Sequence, residues 1–294
     1  MLPNDYILTV LILVGIWIIV ALGLNVITGY AGQFNLGIGI YMGTGAYTTA
    51  LLSTTYGLPF SWSLSASLVA AAVMGIVTGL PALRVREDFL AVTTIGMVFV
   101  FESLLVMLPY FGGPLGIGKI PAPAGKLGYV LIVVFAVAGT VLVTVWLQGS
   151  WVGLAWQAIR EDELAASVVG LHARRLKLYA FGIGASYAGL GGVLYAHFIR
   201  YVTPYDFGFL PSVYVLAMVV FGGLGTIRGP IVGAAVLTAL PEIFRFVQEY
   251  RNLIYGAVLV VMMLYQPRGL LADGSRLWQR LRLYTRPLAF GHPR

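Results

Sequence analysis

The stretch ALGLNVITGYAGQFNLGIGIYMGTGAYTTALL, residues 21–52, contains no charged side chain. Aliphatic residues and closely spaced glycines fill most of it, and three amide side chains, Asn25, Gln33 and Asn35, stand among them. A segment this apolar is typical of a membrane interior. Dense glycine allows helices to approach closely or the backbone to break. Residues 21–52 therefore predict a tightly packed or broken membrane helix.

The composition of the whole chain extends this conclusion. Its 294 residues are 59% hydrophobic and 10% charged, with a mean hydropathy of +0.90, whereas a soluble domain carries roughly 25% charged residues. We therefore predict a polytopic, all-α integral membrane protein. The absence of cysteine excludes disulfides and thiol chemistry. The net charge of +7 indicates cytoplasmic loops and contact with lipid head groups rather than with nucleic acid.

Runs of about 20 mostly apolar residues mark the candidate membrane-spanning helices. We predict nine, and the pattern also allows eight or ten. The second and the seventh are rich in glycine and fit re-entrant or broken helices as well as complete spans. The nine segments are 6–27, 36–55, 62–83, 88–109, 127–148, 177–198, 211–227, 229–248 and 252–266.

Lysine and arginine set the predicted orientation, because these residues concentrate in cytoplasmic loops. If a polar insert, residues 149–176, lies in the cytoplasm, most of the 18 basic residues lie on that side, including those of a basic tail, residues 267–294. We therefore predict an outer N-terminus, an inner C-terminus and a single transmembrane domain over residues 1–294. Since no polar stretch is long enough for a soluble domain, any nucleotide-binding domain must lie on another chain.

Within the insert, the sequence predicts a short helix over residues 161–170. Asp162 is a suitable N-cap, Glu163 lies in the first turn where the helix dipole favours acids, and Gly170 is a suitable C-terminal stop. Such a helix would be roughly 13 Å long, too short to cross a bilayer. Ala165, Ala166 and Gly170 favour close approach of another backbone. We interpret the helix as a docking element for a partner protein; the alternative is a solvated loop.

The segment EDELAASVVG, residues 161–170, resembles the cytoplasmic coupling segment of ABC importer permeases, although Leu164 separates its acid from its alanine pair. Other stretches resemble the LivM-type branch of the branched-chain amino acid permeases, in order and over nearly the whole chain. These stretches are residues 21–52, GGPLGI (112–117), VVFGGLGTIRGPIVGA (219–234) and QPRGLL (266–271).

This resemblance implies a transport subunit in a bacterial or archaeal plasma membrane, with no enzymatic activity or cofactor of its own. Its expected partners are ABC ATPases, a second permease of the LivH type, an extracytoplasmic solute-binding protein and membrane lipid. The resemblance favours branched-chain amino acids as cargo, with urea or an amide as the alternative. The residues expected to take part in ATPase coupling are Arg160, Glu161, Asp162, Glu163, Ala165, Ala166 and Gly170.

Four polar residues in apolar segments are candidates for a translocation path. Asn25, Gln33 and Asn35 either line such a path or only bond to neighbouring helices. Glu102 lies inside a predicted span, where a carboxylate is costly and by default functional. The alternative is that Glu102 is near enough to the outer end of its helix to reach lipid head groups.

Two other classes of protein find less support. A stand-alone secondary transporter would favour several paired charges within its spans, and Glu102 alone is thin support. A membrane enzyme would need a nucleophile with a base, or metal ligands at a suitable spacing, and the sequence has neither pattern. The segment GPLGIGKI, residues 113–120, is not a phosphate-binding loop, because Ile120 replaces the required Ser or Thr.

Overall fold

Helices make up most of the computed structural model, which describes residues 3–85 and 87–243 together with 253, 256, 257, 260 and 261. The α-helices of these residues, in chain order, are α1 (Pro3–Leu24), α2 (Ile38–Thr54), α3 (Phe60–Ala82), α4 (Glu87–Met107), α5 (Lys126–Gly149), α6 (Trp151–Glu161), α7 (Glu163–Val168), α8 (Ala173–Ile199), α9 (Phe209–Gly222) and α10 (Arg228–Ile243).

Helix α8 lies at the centre of the bundle, and α1, α2 and α3 pack against it through glycine. A Cβ atom on Gly23 of α1 would lie 2.6 Å from the carbonyl oxygen of Gly184 in α8. One on Gly75 of α3 would lie 2.5 Å from the Cβ atom of Ala185 in α8. Because lipid tails are as apolar as leucine, close van der Waals packing of small residues holds helices together in a membrane. These glycines let three helices approach one central helix.

The first span does not end with α1. A π-helix, Asn25–Tyr30, continues it, and the amide of Ala31 closes it by donating to the carbonyl oxygen of Val26 at 3.2 Å. Residues 31–37 are not helical, and α2 begins only at Ile38. Residues 31–37 therefore form a link between the first and second predicted segments, and the second segment is a continuous helix rather than a broken one.

The two ends of the bundle differ in structure. At the loop end, strand β1 (Ile117–Gly118) pairs antiparallel with β2 (Tyr201–Val202). Nearby, the buried His197 side chain donates from Nδ1 to the carbonyl oxygen of Pro121 at 2.7 Å. At the insert end, α6 and α7 follow α5 and lead into α8. Because α1 pairs antiparallel with α8, its first residues point toward the loop end.

Six helical stretches of the described residues are long and apolar enough to cross a membrane. They are Tyr6–Tyr30, Phe60–Ala82, Phe89–Met107, Lys126–Gly149, Ala173–Ile199 and Pro204–Gly222. Exposed apolar side chains on these helices, such as Leu142 at 69% and Trp146 at 70%, fit lipid as the surrounding medium. The coarse prediction of a helical, multi-pass membrane protein is therefore confirmed.

One predicted span was too long. The seventh was expected to cover 211–227, but α9 ends at Gly222. Gly223 and Gly225 adopt positive φ angles of 126° and 78°, which end the helix and form a turn over residues 223–227. The ninth predicted span, 252–266, and the basic tail, 267–294, lie outside the continuously described residues. The count of nine spans and the orientation stay predictions.

Candidate functional site

Helix α6 is fixed to the bundle at the insert end. The Ser150 hydroxyl caps its first turn by accepting from the amide of Gly153 at 3.4 Å. Trp156 is 1% exposed, and its indole Nε1 donates to the carbonyl oxygen of Leu176 in α8 at 2.8 Å. A buried tryptophan with its N–H paired contributes both apolar area and direction. The position of α6 relative to α8 is thereby set.

The last turn of α6 reaches the π-helix through Arg160. Its Nη1 atom donates to the carbonyl oxygen of Gly29. The side chain lies between two glycines with positive φ, Gly32 at 71° and Gly225 at 78°. A Cβ atom on Gly225 would lie 2.5 Å from Nη1 of Arg160, and one on Gly32 would lie 3.2 Å from its Cγ atom. Glycine is therefore required on both sides of this arginine, and the guanidinium joins the insert to the first span.

Helix α7 is shorter than predicted. The expected helix over 161–170 was wrong at its start, because Asp162 is extended (φ −156°, ψ 107°) and separates two helices. Glu161 is the last residue of α6, and α7 covers Glu163–Val168. The prediction of Asp162 as N-cap is confirmed: its Oδ1 atom accepts from the amides of Leu164 at 2.9 Å and Ala165 at 3.0 Å. The helix is about 9 Å long.

Gly170 ends α7 as predicted. Its φ angle is 88°. Its amide donates to the carbonyl oxygen of Ser167 at 3.0 Å, and the amide of Leu171 donates to the carbonyl oxygen of Ala166 at 3.1 Å. This pair of bonds is a Schellman motif. Within the described residues a Cβ atom on Gly170 would meet nothing within 4 Å, and the close approach of a partner's backbone stays a prediction. Glycine is favoured at this position because of its positive φ angle, not because neighbouring atoms leave no space for a side chain.

The outer side of α7 and its C-terminal cap is apolar and exposed. Leu164 is 79% exposed, Val168 89% and Val169 81%, and we call these three residues the α7 face. Next to it, Glu163 forms a salt bridge through Oε2 with Nζ of Lys177 at 2.7 Å, which ties α7 to α8. The bundle thus fixes α7 while leaving an apolar surface uncovered.

Asn25 connects the π-helix to the turn after α9. Its side chain is fully buried, accepts from the amide of Gly225 at 2.9 Å and donates to the carbonyl oxygen of Thr226 at 2.8 Å. Both polar atoms of the amide are therefore paired within the protein. This geometry matches the expectation that such amides bond to neighbouring segments.

Asn35 lies in the non-helical link 31–37 and is fully buried. Its amide nitrogen Nδ2 donates to the hydroxyl of Tyr41 at 3.3 Å, and Tyr41 in turn bonds to the hydroxyl of Thr78 in α3 at 2.9 Å. The backbone amide of Asn35 donates to Oγ1 of Thr28 in the π-helix at 3.4 Å. Asn35 thus joins the π-helix, α2 and α3.

Of the other two predicted path residues, Gln33 shares the link with Asn35 and Glu102 lies in α4. Gln33, at 3% exposure, belongs to the same link and donates to the carbonyl oxygen of Ala31 at 3.4 Å. Glu102 is half-buried in the loop-end half of α4 and faces Gly208, where a Cβ atom would lie 2.9 Å from its Oε2 atom. Among the described residues, no contact brings Glu102 to the three amides.

Several residues at this site were not identified from the sequence. Trp156, Tyr41, Thr78 and Thr226 act through contacts distant in the chain, which leave no local pattern. Helix α6 did leave a signal, because Ser150 is a good N-cap ahead of an amphipathic segment.

Comparison with known proteins agrees with this architecture. The family described as "Branched-chain amino acid transport system / permease component" matches residues 6–263. The LivM permease protein of the high-affinity branched-chain amino acid transport system of Escherichia coli (strain K12) is 37% identical over 87% of this chain and 68% of its own length. Its Salmonella typhimurium counterpart is 36% identical over the same shares.

The LivH permease protein of E. coli (strain K12) is 26% identical over 86% of this chain and 90% of its own length. No solved structure gives a significant match. With a matched segment that covers most of the chain and more than a third of positions identical to LivM, the protein belongs to the family of permease components of branched-chain amino acid transport systems.

Proposed function

We propose that this chain forms one half of the transmembrane path of an ATP-driven ABC importer for branched-chain amino acids. Its family membership supports the transport activity and the class of solute. The observation that carries the coupling role is the α7 face, an exposed apolar surface held by α6 and α8 at the insert end. Patches of this kind mark interaction sites. Helices α6 and α7 would transmit movement from an ATPase.

The remaining partners follow from the same proposal. Relatives of two kinds, LivM and LivH, match this chain over most of its length. We infer that the second half of the path is a LivH-like permease, that two ATPase subunits hydrolyse ATP, and that an extracytoplasmic protein delivers the solute. The chain itself would act without covalent chemistry, in the plasma membrane.

The proposed topology is one permease domain over residues 1–294 with nine spans, an outer N-terminus and an inner C-terminus. The insert, 149–176, and the tail, 267–294, would face the cytoplasm. The excess of lysine and arginine in these segments supports this orientation. In this arrangement α7 lies on the side where ATP is available.

Coupling would pass from α7 to the interior in two steps. The first is the contact of Arg160 with Gly29 in the π-helix. The second is the pair of polar links from the π-helix, Asn25 to the 223–227 turn and Thr28 to Asn35. A π-helix is a rare backbone form that is frequent at functional sites. A shift of α6 would thereby change the surroundings of Asn25, Gln33 and Asn35, which we propose as path residues, with Glu102 nearer the loop end.

Reconstitution tests the proposal. The chain alone in liposomes should not accumulate leucine against a gradient, with or without a proton or sodium gradient. Adding the LivH-like permease, the ATPases, the binding protein and ATP should establish accumulation. Uphill uptake by the lone chain on an ion gradient would contradict the proposal and favour a secondary transporter. Accumulation of urea or an amide instead of leucine would correct only the solute.

A further inference from the structure

A polar cleft opens at the insert end between α6, α7 and the non-helical link. Its volume is about 360 Å³. Polar side chains from four elements line it: Thr28 of the π-helix, Gln33 of the link, Arg160 and Glu161 of α6, and Glu163 of α7. The larger cavities between the described helices are lined almost entirely by apolar residues. This cleft therefore differs in chemistry from its surroundings.

The cleft offers both signs of charge within a small volume. Arg160 uses Nη1 for Gly29, and its guanidinium carries further N–H donors. Glu161 has no partner among the residues that the structure describes. Glu163 is already balanced by Lys177. A ligand that carries one carboxylate and one ammonium group could satisfy Arg160 and Glu161 together, because charged hydrogen bonds are the strong ones.

The rest of the wall is apolar. Phe34, Ile159 and Leu224 also line the cleft. Ligand sites typically combine apolar walls with a few polar groups that fix orientation. A branched aliphatic side chain would fit such a wall, and a free zwitterionic head group would fit the charges.

We infer that this cleft is a binding site for a zwitterionic, aliphatic amino acid on the insert side of the membrane. The inference rests on the proposed function and deepens it, because it assigns a site to the transported solute after it has crossed. The cleft adjoins the link that carries Gln33 and Asn35, so it lies next to the proposed path. Amino acid released into the cell would occupy the same site from the insert side.

The native chain contains no cysteine, so substrate protection can test the site. Leu224→Cys places one thiol in the wall, and Gln157→Cys places a control thiol on the exposed side of α6, outside the cleft. Both are incorporated into the complex of the two permeases and the ATPases, and labelling of this chain by a small thiol reagent is followed with and without leucine. At a leucine concentration about ten times the half-saturating value, labelling of Leu224→Cys should slow about tenfold, because the unoccupied fraction falls by mass action.

Two analogues of leucine test the roles of its ammonium and carboxylate groups separately. Isocaproate, which lacks the ammonium group, and isoamylamine, which lacks the carboxylate, should protect much less than leucine, and Gln157→Cys should label at one rate throughout. Equal labelling of Leu224→Cys with and without leucine, in a variant complex that assembles and hydrolyses ATP, would overturn the site while the proposed function stands. Loss of accumulation in the native complex would instead contradict the proposed function.

Discussion

Helices α6 and α7 adjoin in the chain and differ in their surroundings. Helix α6 buries Ala155, Trp156 and Ile159 and ends in an arginine bonded to the first span. Helix α7 buries only Ala166 and exposes Leu164 and Val168 almost completely. One helix is fixed in the protein, and the other presents a surface.

A buried α6 beside an exposed α7 suggests how a membrane subunit can receive movement from a soluble partner. An exposed helix without contacts to the bundle could not pass movement to the spans. A buried helix without an exposed surface could not bind the partner that moves it. Asp162 separates the two functions, because its extended backbone ends α6 and its side chain begins α7. The α7 face would accept the force, and Arg160 would pass it to the π-helix.

The largest effect is expected from Arg160→Ala. The substitution removes a charged hydrogen bond to the carbonyl oxygen of Gly29 and empties the space between Gly32 and Gly225. Loss of such a bond costs roughly 1.5–3 kcal/mol, which corresponds to about tenfold or more in coupling. ATP hydrolysis by the complex should persist while leucine uptake falls by about that factor. Arg160→Lys, which keeps one donor, should be intermediate, and native uptake in Arg160→Ala would refute the role of this contact.

Next in size is Val168→Asp, which places a carboxylate in the α7 face. Burying an unpaired charge against a partner is strongly unfavourable, so the yield of co-purified ATPase should fall about tenfold, the result of roughly 1.4 kcal/mol. The matched control is Gln157→Asp on the exposed side of α6, which should leave the yield unchanged. Equal yields from both variants would mean that the ATPase binds elsewhere.

Local rules made α7 predictable, whereas the local signal of α6, its N-cap Ser150, was not recognised. Asp162 and Gly170 act through bonds to residues two to four positions away, so their roles could be predicted from sequence. Arg160 and Asn25 contact residues that are 131 and 201 positions away in the chain. A local sequence pattern cannot predict such contacts. The hydrogen bond of Tyr41 with Thr78, which supports Asn35 in the link 31–37, was not predicted for the same reason.

The predicted helix boundaries failed where backbone conformation, rather than hydropathy, ends a helix. Residues 223–227 carry no charged side chain, so the predicted span continued through them, but Gly223 and Gly225 adopt positive φ. At Asp162 the charged sequence suggested a single helix from 161, although the same residue that caps α7 cannot also lie inside a helix.

A smaller effect is expected from Gly170→Val. A β-branched residue at positive φ costs roughly 1–2 kcal/mol, although space for the side chain is open. The Schellman end of α7 should be disturbed, and stimulation of ATP hydrolysis by the loaded binding protein should weaken. Gly149→Ala is the control, since this position is also open but is helical in α5. Unchanged stimulation in Gly170→Val would show that the stop is dispensable.

The smallest effect is expected from Asp162→Ala. Removal of an N-cap costs about 1 kcal/mol, so the amides of Leu164 and Ala165 should exchange with solvent about fivefold faster. Hydrogen exchange followed by mass spectrometry over residues 162–171 measures this. Asp162→Ser, which retains a capping oxygen, should exchange nearly as the native chain does. Equal exchange in the alanine variant would indicate that other contacts hold α7.

The proposal that the α7 face binds the ATPase is tested most directly by comparing the surfaces of α6 and α7 in one experiment. Val168→Cys and Gln157→Cys place single thiols on the exposed sides of α7 and α6 in a chain without native cysteine. Labelling rates are measured in the paired permeases alone and after the ATPases bind. If the α7 face binds the ATPase, Val168→Cys should be strongly protected from labelling, and the labelling rate of Gln157→Cys should not change. An unprotected Val168→Cys in a complex that still hydrolyses ATP and accumulates leucine would contradict the proposal.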